Sequence, residues 1–189
     1  MSPTNSREQD VPGAAQAHAA EQRFREILTA DIDIRIARDG TWYHEGGAIR
    51  RPALVKLFAS ILSRDDSGDY HLVTPAERRR ITVEDVPFQA VEVDSEGAGD
   101  RQKLIFRTNV DDIVTAGPDH PLRVVFDPGT LEPSPYVMVR GGMEARIARP
   151  VYYQLVALGE VAEIEGRAAL VVRSSGAAFV LGHVDDDIG

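Results

Sequence analysis

Ile49-Arg50-Arg51-Pro52-Ala53-Leu54-Val55-Lys56-Leu57-Phe58 decides the fold of this chain, because its pattern returns 98 residues later. The second copy reads Ile147-Ala148-Arg149-Pro150-Val151-Tyr152-Tyr153-Gln154-Leu155-Val156. Ile, Arg, Pro and Leu fall at the same offsets, and a strand-like run with a Gly-Gly pair (Gly46-Gly47, then Gly141-Gly142) precedes each copy. Proline suits the first helical position, where its missing N–H costs nothing. Behind Pro52 the apolar set Leu54, Val55, Leu57, Phe58, Ile61 and Leu62 follows the 3.6-residue helical period. Each copy is therefore a strand end that leads into a helix start, and the chain is built from two related halves.

Working outward, Ile32, Ile34 and Ile36 alternate with Asp33 and Arg35, which predicts a strand over 31–38 with one buried face. Asp39-Gly40 is a two-residue hairpin signal, and Thr41 to Glu45 is the return strand. After the first helix, Asp65 to Asp69 reads as a turn and Tyr70 to Val73 as a strand. Thr74-Pro75-Ala76-Glu77 has the form of a capping box and predicts a short helix that ends near Arg80. The first unit is then β-β-α-β. Upstream, residues 1–18 read as a disordered tail, and Phe24, Ile27 and Leu28 mark one face of a helix over 19–29.

The second half is richer in strands. Phe88–Asp94 and Lys103–Thr108 flank a polar turn, Ser95 to Arg101, and Asp111-Asp112 leads a further short turn. Leu122–Phe126 is a strand, and Asp127 to Pro135, with three Pro and one Gly, is a loop. Tyr136–Arg140, Glu144–Ile147 and a helix over 150–158 follow. A meander over 162–184 completes the half, and Asp185 to Asp187 form an acidic tail. The fold class is α+β: two small domains, 19–83 and 84–185, with a repeated strand–strand–helix–strand motif and mostly antiparallel sheets.

Composition narrows the function classes. Thirty acidic against 21 basic side chains give a net charge of −9, so a nucleic-acid backbone is not the expected partner. The absence of cysteine removes disulfides, thiolate nucleophiles and Cys-ligated metals. No apolar run approaches the roughly 18 residues that span a bilayer, and the first twenty residues lack the apolar core of a secretory signal. A cytoplasmic protein without membrane partners is the expectation.

Trp42-Tyr43-His44-Glu45-Gly46-Gly47-Ala48-Ile49-Arg50-Arg51 and Leu54 to Leu62, followed by Tyr70-His71-Leu72-Val73-Thr74-Pro75-Ala76-Glu77 and Ile81 to Phe88, resemble a bacterial family. It is the domain-of-unknown-function family 1285 (DUF1285), and the likeness runs from about Phe24 to Val184. The resemblance implies two small α+β domains with repeated motifs, and a suggested role in signalling or ligand binding. It brings no established catalytic residues.

The candidate ligand-binding residues are Tyr43, His44, Arg50, Arg51, Arg149 and Tyr152. Paired arginines beside a helix start suit an anion, through guanidinium forks and the helix dipole. The structural alternative is that one arginine pairs with Glu45, Glu77 or Asp85. Because the second copy keeps Arg149 but carries Ala148 opposite Arg50, Arg51 and Arg149 read as scaffold and Arg50 as the functional candidate. His44 and His71, with Glu45, hold metal-ligand atoms, but adjacent strand residues face opposite ways, so no metal site is assigned. Arg78-Arg79-Arg80 is either a docking run or a solvated face, with Glu84-Asp85 positioned to neutralise it. Tyr152-Tyr153 pack in the core or line a cleft between the halves. No hydrolase elbow, phosphate loop or zinc-protease helix appears, so catalytic residues are unassigned and no cofactor is expected. A regulatory module that binds a small molecule or a protein leads, ahead of an enzyme with a carboxylate/His site and of a structural adaptor.

Overall fold

The computed structural model describes residues 18–23, which are helical, and residues 32–184. The expected tail at the N-terminus, the apolar helical face of Phe24, Ile27 and Leu28, and the acidic tail lie outside the described residues.

The first half runs β1 (Ile34–Ile36), β2 (Trp42–His44), β3 (Gly47–Ala48), α1 (Pro52–Ser60), β4 (Leu62–Arg64), β5 (Tyr70–Val73) and β6 (Arg78–Val83). These strands form one sheet in the order β3-β2-β1-β6-β5-β4. Neighbours are antiparallel except β1 and β6, which pair in parallel through Arg35–Thr82 and Ile36–Val83. The alternation read in the sequence is real: Ile34 and Ile36 are buried and Arg35 is not. Glu45 (φ 48°) and Gly46 (φ 77°) form the two-residue loop that joins β2 to β3, so Glu45 belongs to the turn and not to the strand.

The second half runs β7 (Phe88–Glu96), β8 (Lys103–Thr108), β9 (Ile113–Thr115), β10 (Leu122–Phe126), β11 (Pro133–Arg140), β12 (Met143–Ile147), α2 (Arg149–Leu158), β13 (Glu160–Ile164), β14 (Arg167–Ser174) and β15 (Ala177–His183). Its main sheet has the order β10-β11-β12-β7-β8-β9, and β13-β14-β15 is a separate antiparallel meander. Here too one pair is parallel, β12 with β7. The architecture is thus two domains of mostly antiparallel sheet with few helices.

The repeat extends beyond the quoted stretch. Hairpin, helix and three-strand meander follow in the same order in both halves, and β4 and β13 begin 98 residues apart, at Leu62 and Glu160. What differs is how each meander ends. In the first half β6 closes onto β1, whereas among the described strands β15 pairs only with β14.

Three expectations are corrected. The stretch after Thr74 is not a helix. The capping contact does form, with the Glu77 N–H donating to Thr74 Oγ1 at 3.1 Å, but Thr74 and Glu77 close a hairpin loop between β5 and β6. Pairing of Leu72 with Arg79 and of Tyr70 with Ile81 overrides local helical preference there. Helix α1 stops at Ser60, so Leu62 is a strand residue. The proline-rich segment 127–135 is a loop only to Glu132, because β11 begins at Pro133 and pairs with β10.

One apolar core runs through both halves. It joins Ile34, Trp42, Leu54, Phe58 and Leu72 of the first to Phe88, Phe106, Val137, Ile147, Leu155 and Leu181 of the second. Trp42 on β2 stacks on Phe58 of α1, with ring centroids 6.0 Å apart. That contact fixes how the first helix lies over its sheet.

Candidate functional site

Beside the first helix start lies a cleft of about 320 Å³, lined among the described residues by Arg23, His44, Gly47, Ala48, Ile49, Arg50, Arg51 and Leu54. Its construction follows from the sequence. Trp42 and His44 share one face of β2, so the same alternation that buries the indole under α1 turns the imidazole toward the cleft. Ile49 donates its N–H to Trp42 O at 2.7 Å, and the chain then delivers Arg50 and Arg51 to the start of α1.

The cleft sits in a protein whose arginines are mostly paired, although Arg38, Arg64 and Arg101 also have no ion pair among the described residues. Arg35, Arg107, Arg123, Arg140, Arg146 and Arg149 each face a carboxylate. Arg50 and Arg51 have no carboxylate partner among the described residues, and the cleft's described lining contains no acidic side chain. His44 Nε2 is buried and has no hydrogen-bond partner among the described residues. Trp42 Nε1, on the same face of β2, is likewise buried without a partner among the described residues.

The carboxylates proposed for these arginines are engaged elsewhere. Glu77 accepts from Arg79 at 2.9 Å and Asp85 from Arg146 at 3.0 Å, while Glu45 sits exposed in its turn. Tyr43 faces away from His44 and carries the Arg35 guanidinium over its ring at 4.3 Å. His71 lies on β5, with Nδ1 3.2 Å from Arg78 Nη2 and 3.6 Å from Asp65 Oδ2. It is not brought to His44, and the described residues contain no His, Asp and Glu cluster of metal-binding form. The Arg78-Arg79-Arg80 run is neutralised by Asp65, Glu77 and Asp69 in turn, not by Glu84-Asp85.

At the second helix start is a smaller cleft of about 120 Å³, lined by Glu132, Pro133, Pro135, Arg146, Ile147, Arg149, Tyr152 and Tyr153. All of these belong to the second half, so the cleft that Tyr152 and Tyr153 line here lies within that half. The Tyr152 hydroxyl donates to Leu181 O at 2.9 Å, and Tyr153 is 61% exposed. Arg149 is held by Glu132.

The family model for the DUF1285 N-terminal domain, a domain of unknown function, matches residues 24–86. That for the C-terminal domain matches residues 87–181. The chain belongs to the DUF1285 family.

A crystal structure of a DUF1285 family protein from Silicibacter pomeroyi DSS-3 is 49% identical to it, with a TM-score of 0.75 over 82% of each chain. Another, from Shewanella baltica OS155, is 26% identical, with a TM-score of 0.52 over 67% of this chain and 91% of that one. No curated protein matches.

Sequence reasoning missed the polar junction of this DUF1285 chain. Asp85 accepts from the Tyr136 hydroxyl at 3.1 Å as well as from Arg146, and Arg146 also donates to Ser134 Oγ at 3.0 Å. Arg123 lies 4.2 Å over the Tyr136 ring and is held by Glu144. Burial, with the Asp85 charge beside it, pushes the Tyr136 phenol up, so it stays a donor. Nothing in the spacing of Asp85, Tyr136 and Arg146 announces this network, since it forms only when β11, β12 and the linker meet.

Proposed function

We propose that this DUF1285 protein is a cytoplasmic ligand-binding module with a regulatory role, and that it takes a small anionic molecule in the cleft at the first repeat. The observation that carries this reading is the pair Arg50 and Arg51, without carboxylate partners among the described residues of a protein with net charge −9. Cations left unmatched amid surplus carboxylates are available to an incoming anion, and guanidinium groups grip carboxylates and phosphates through paired hydrogen bonds. A cleft of about 320 Å³ has the size of a small-metabolite site. Its described lining offers cations and an imidazole but no carboxylate to act as a partner base, which favours binding over catalysis. No described helix is long and apolar enough to cross a membrane.

A ligand that binds only the folded state raises the melting temperature by linkage. A thermal-shift screen against nucleotides, phosphorylated metabolites, carboxylates and divalent metals therefore tests the reading. It expects an anion among the hits, and that shift should vanish in Arg50→Ala. A flat screen, or a hit indifferent to Arg50→Ala, overturns it. The adaptor reading would then gain from Leu131 and Val161, 69% and 67% exposed on the second half.

A further inference from the structure

The internal repeat bears on which anion the first cleft accepts. Arg51 and Arg149 are equivalent positions in the repeat, each just before the proline in the first turn of a helix, and each lines the cleft at its helix start. In the second half that arginine is occupied by a carboxylate of the chain itself, Glu132. Strand length explains why the two halves differ. β11 and β12 pair out to Tyr136–Arg146, and β11 continues back to Pro133, which brings Glu132 alongside Arg149. In the first half β2 begins at Trp42, level with Ile49, so no strand extension accompanies the chain to Arg51.

We infer that the first cleft binds a carboxylate, which takes beside Arg51 the place that Glu132 takes beside Arg149. This rests on the reading of that cleft as an anion site and narrows it to a chemical class. The second half is a site closed by its own carboxylate, and the first is the same site left open. Arg50, which has no counterpart in the second half because Ala148 stands there, adds a second guanidinium and makes the open site the stronger of the two. His44 also lines this cleft. A free di- or tricarboxylate and an acidic peptide present the same group.

Equilibrium dialysis of the full chain with radiolabelled succinate tests this. The wild type should bind one equivalent, and Arg51→Ala should weaken binding about tenfold or more, the usual scale for a lost charge-assisted pair. Removing the internal carboxylate with Glu132→Ala should open the second site and raise the count to two. Glu132→Ala combined with Arg51→Ala should then retain one site, at Arg149. A count that stays at one in Glu132→Ala overturns the equivalence of the two sites. Radiolabelled inorganic phosphate that binds in an Arg51-dependent way while succinate fails to bind overturns the carboxylate class but leaves the anion site standing. Failure of both succinate and phosphate overturns both readings. A blocked tetraglutamate peptide that displaces succinate more strongly than free succinate does identifies a peptide carboxylate, and the reverse order identifies a metabolite.

Discussion

Glu84 and Asp85 are adjacent in the chain and hold opposite halves of the molecule. Glu84 accepts from the Arg38 N–H at 3.0 Å and from the Arg35 guanidinium, which ties the linker to β1. Asp85 accepts from Tyr136 and Arg146, which ties it to β11 and β12. The junction is therefore anchored from both sides, and further bonds cross it. Arg140 donates to Ala59 O at the end of α1 at 2.8 Å, and Arg64 to Gly142 O at 3.0 Å.

The two anchors are not equal. Asp85 and Arg146 are only 18% and 25% exposed, so Asp85→Ala strands a half-buried guanidinium and a phenol hydroxyl. We expect Asp85→Ala to lower unfolding free energy by about 2 kcal/mol, the scale of hydrogen bonds to a charged group. Glu84→Ala should cost clearly less, because its pair is exposed and screened. Urea unfolding of both variants checks the order.

Glu84 also predicts a pH dependence. The Arg38 N–H, together with the Arg35 charge, holds its carboxyl below the ordinary value. A carboxylate whose folded pKa is depressed contributes stability above its unfolded pKa, about 4.3, and loses it as pH falls through the lower folded value. The stability gap between wild type and Glu84→Gln should thus be full at neutral pH and shrink below about pH 4.3. A gap that stays constant down to pH 3 would count against the contact.

Ser174 is fully buried and joins the meander to the main sheet of the second half. Its hydroxyl donates to Ala116 O at 2.7 Å and accepts from the Leu104 N–H at 2.9 Å. Ser174→Ala leaves both backbone groups buried without that partner, and we expect a loss of about 1–3 kcal/mol. Thermal unfolding measures it, and Ser175→Ala at the adjoining turn serves as the mild comparison.

Gly40 has φ +82°, and a Cβ there would meet Gln89 Cγ at 2.5 Å. Gln89 in turn donates to Arg38 O across the junction at 3.1 Å. Gly40→Ala should therefore strain the turn and loosen the junction together, at a cost of about 1–3 kcal/mol. Fluorescence of Trp42, the only tryptophan, reports the unfolding midpoint.

The sequence made the repeat legible because proline, glycine pairs and helical periodicity are local signals. Pro52 and Pro150 sit in the first turn of their helices, as their chemistry says, and Ile34 and Ile36 face the core. What stayed hidden depends on partners distant in the chain. Thr74 to Glu77 carries the local signature of a helix start, yet β5 claims the residues that follow. The two parallel pairs and the short strand β9 leave no local pattern either. For the site, Arg50, Arg51 and His44 were visible as a cluster, and the structure gathers them round one cleft. That Arg149 is closed by Glu132 was not visible, because it turns on how far β11 extends.

An anion held in the cleft at the first repeat by Arg50 and Arg51, as proposed, would perturb both guanidinium groups. The most direct measurement follows the arginine side-chain ¹⁵Nε NMR signals of the full chain during titration with succinate. Saturable shifts are expected at Arg50 and Arg51, with Arg149 unmoved because Glu132 holds it. Shifts at Arg149 with none at Arg50 and Arg51, or no shift at any arginine, would contradict the proposed anion site.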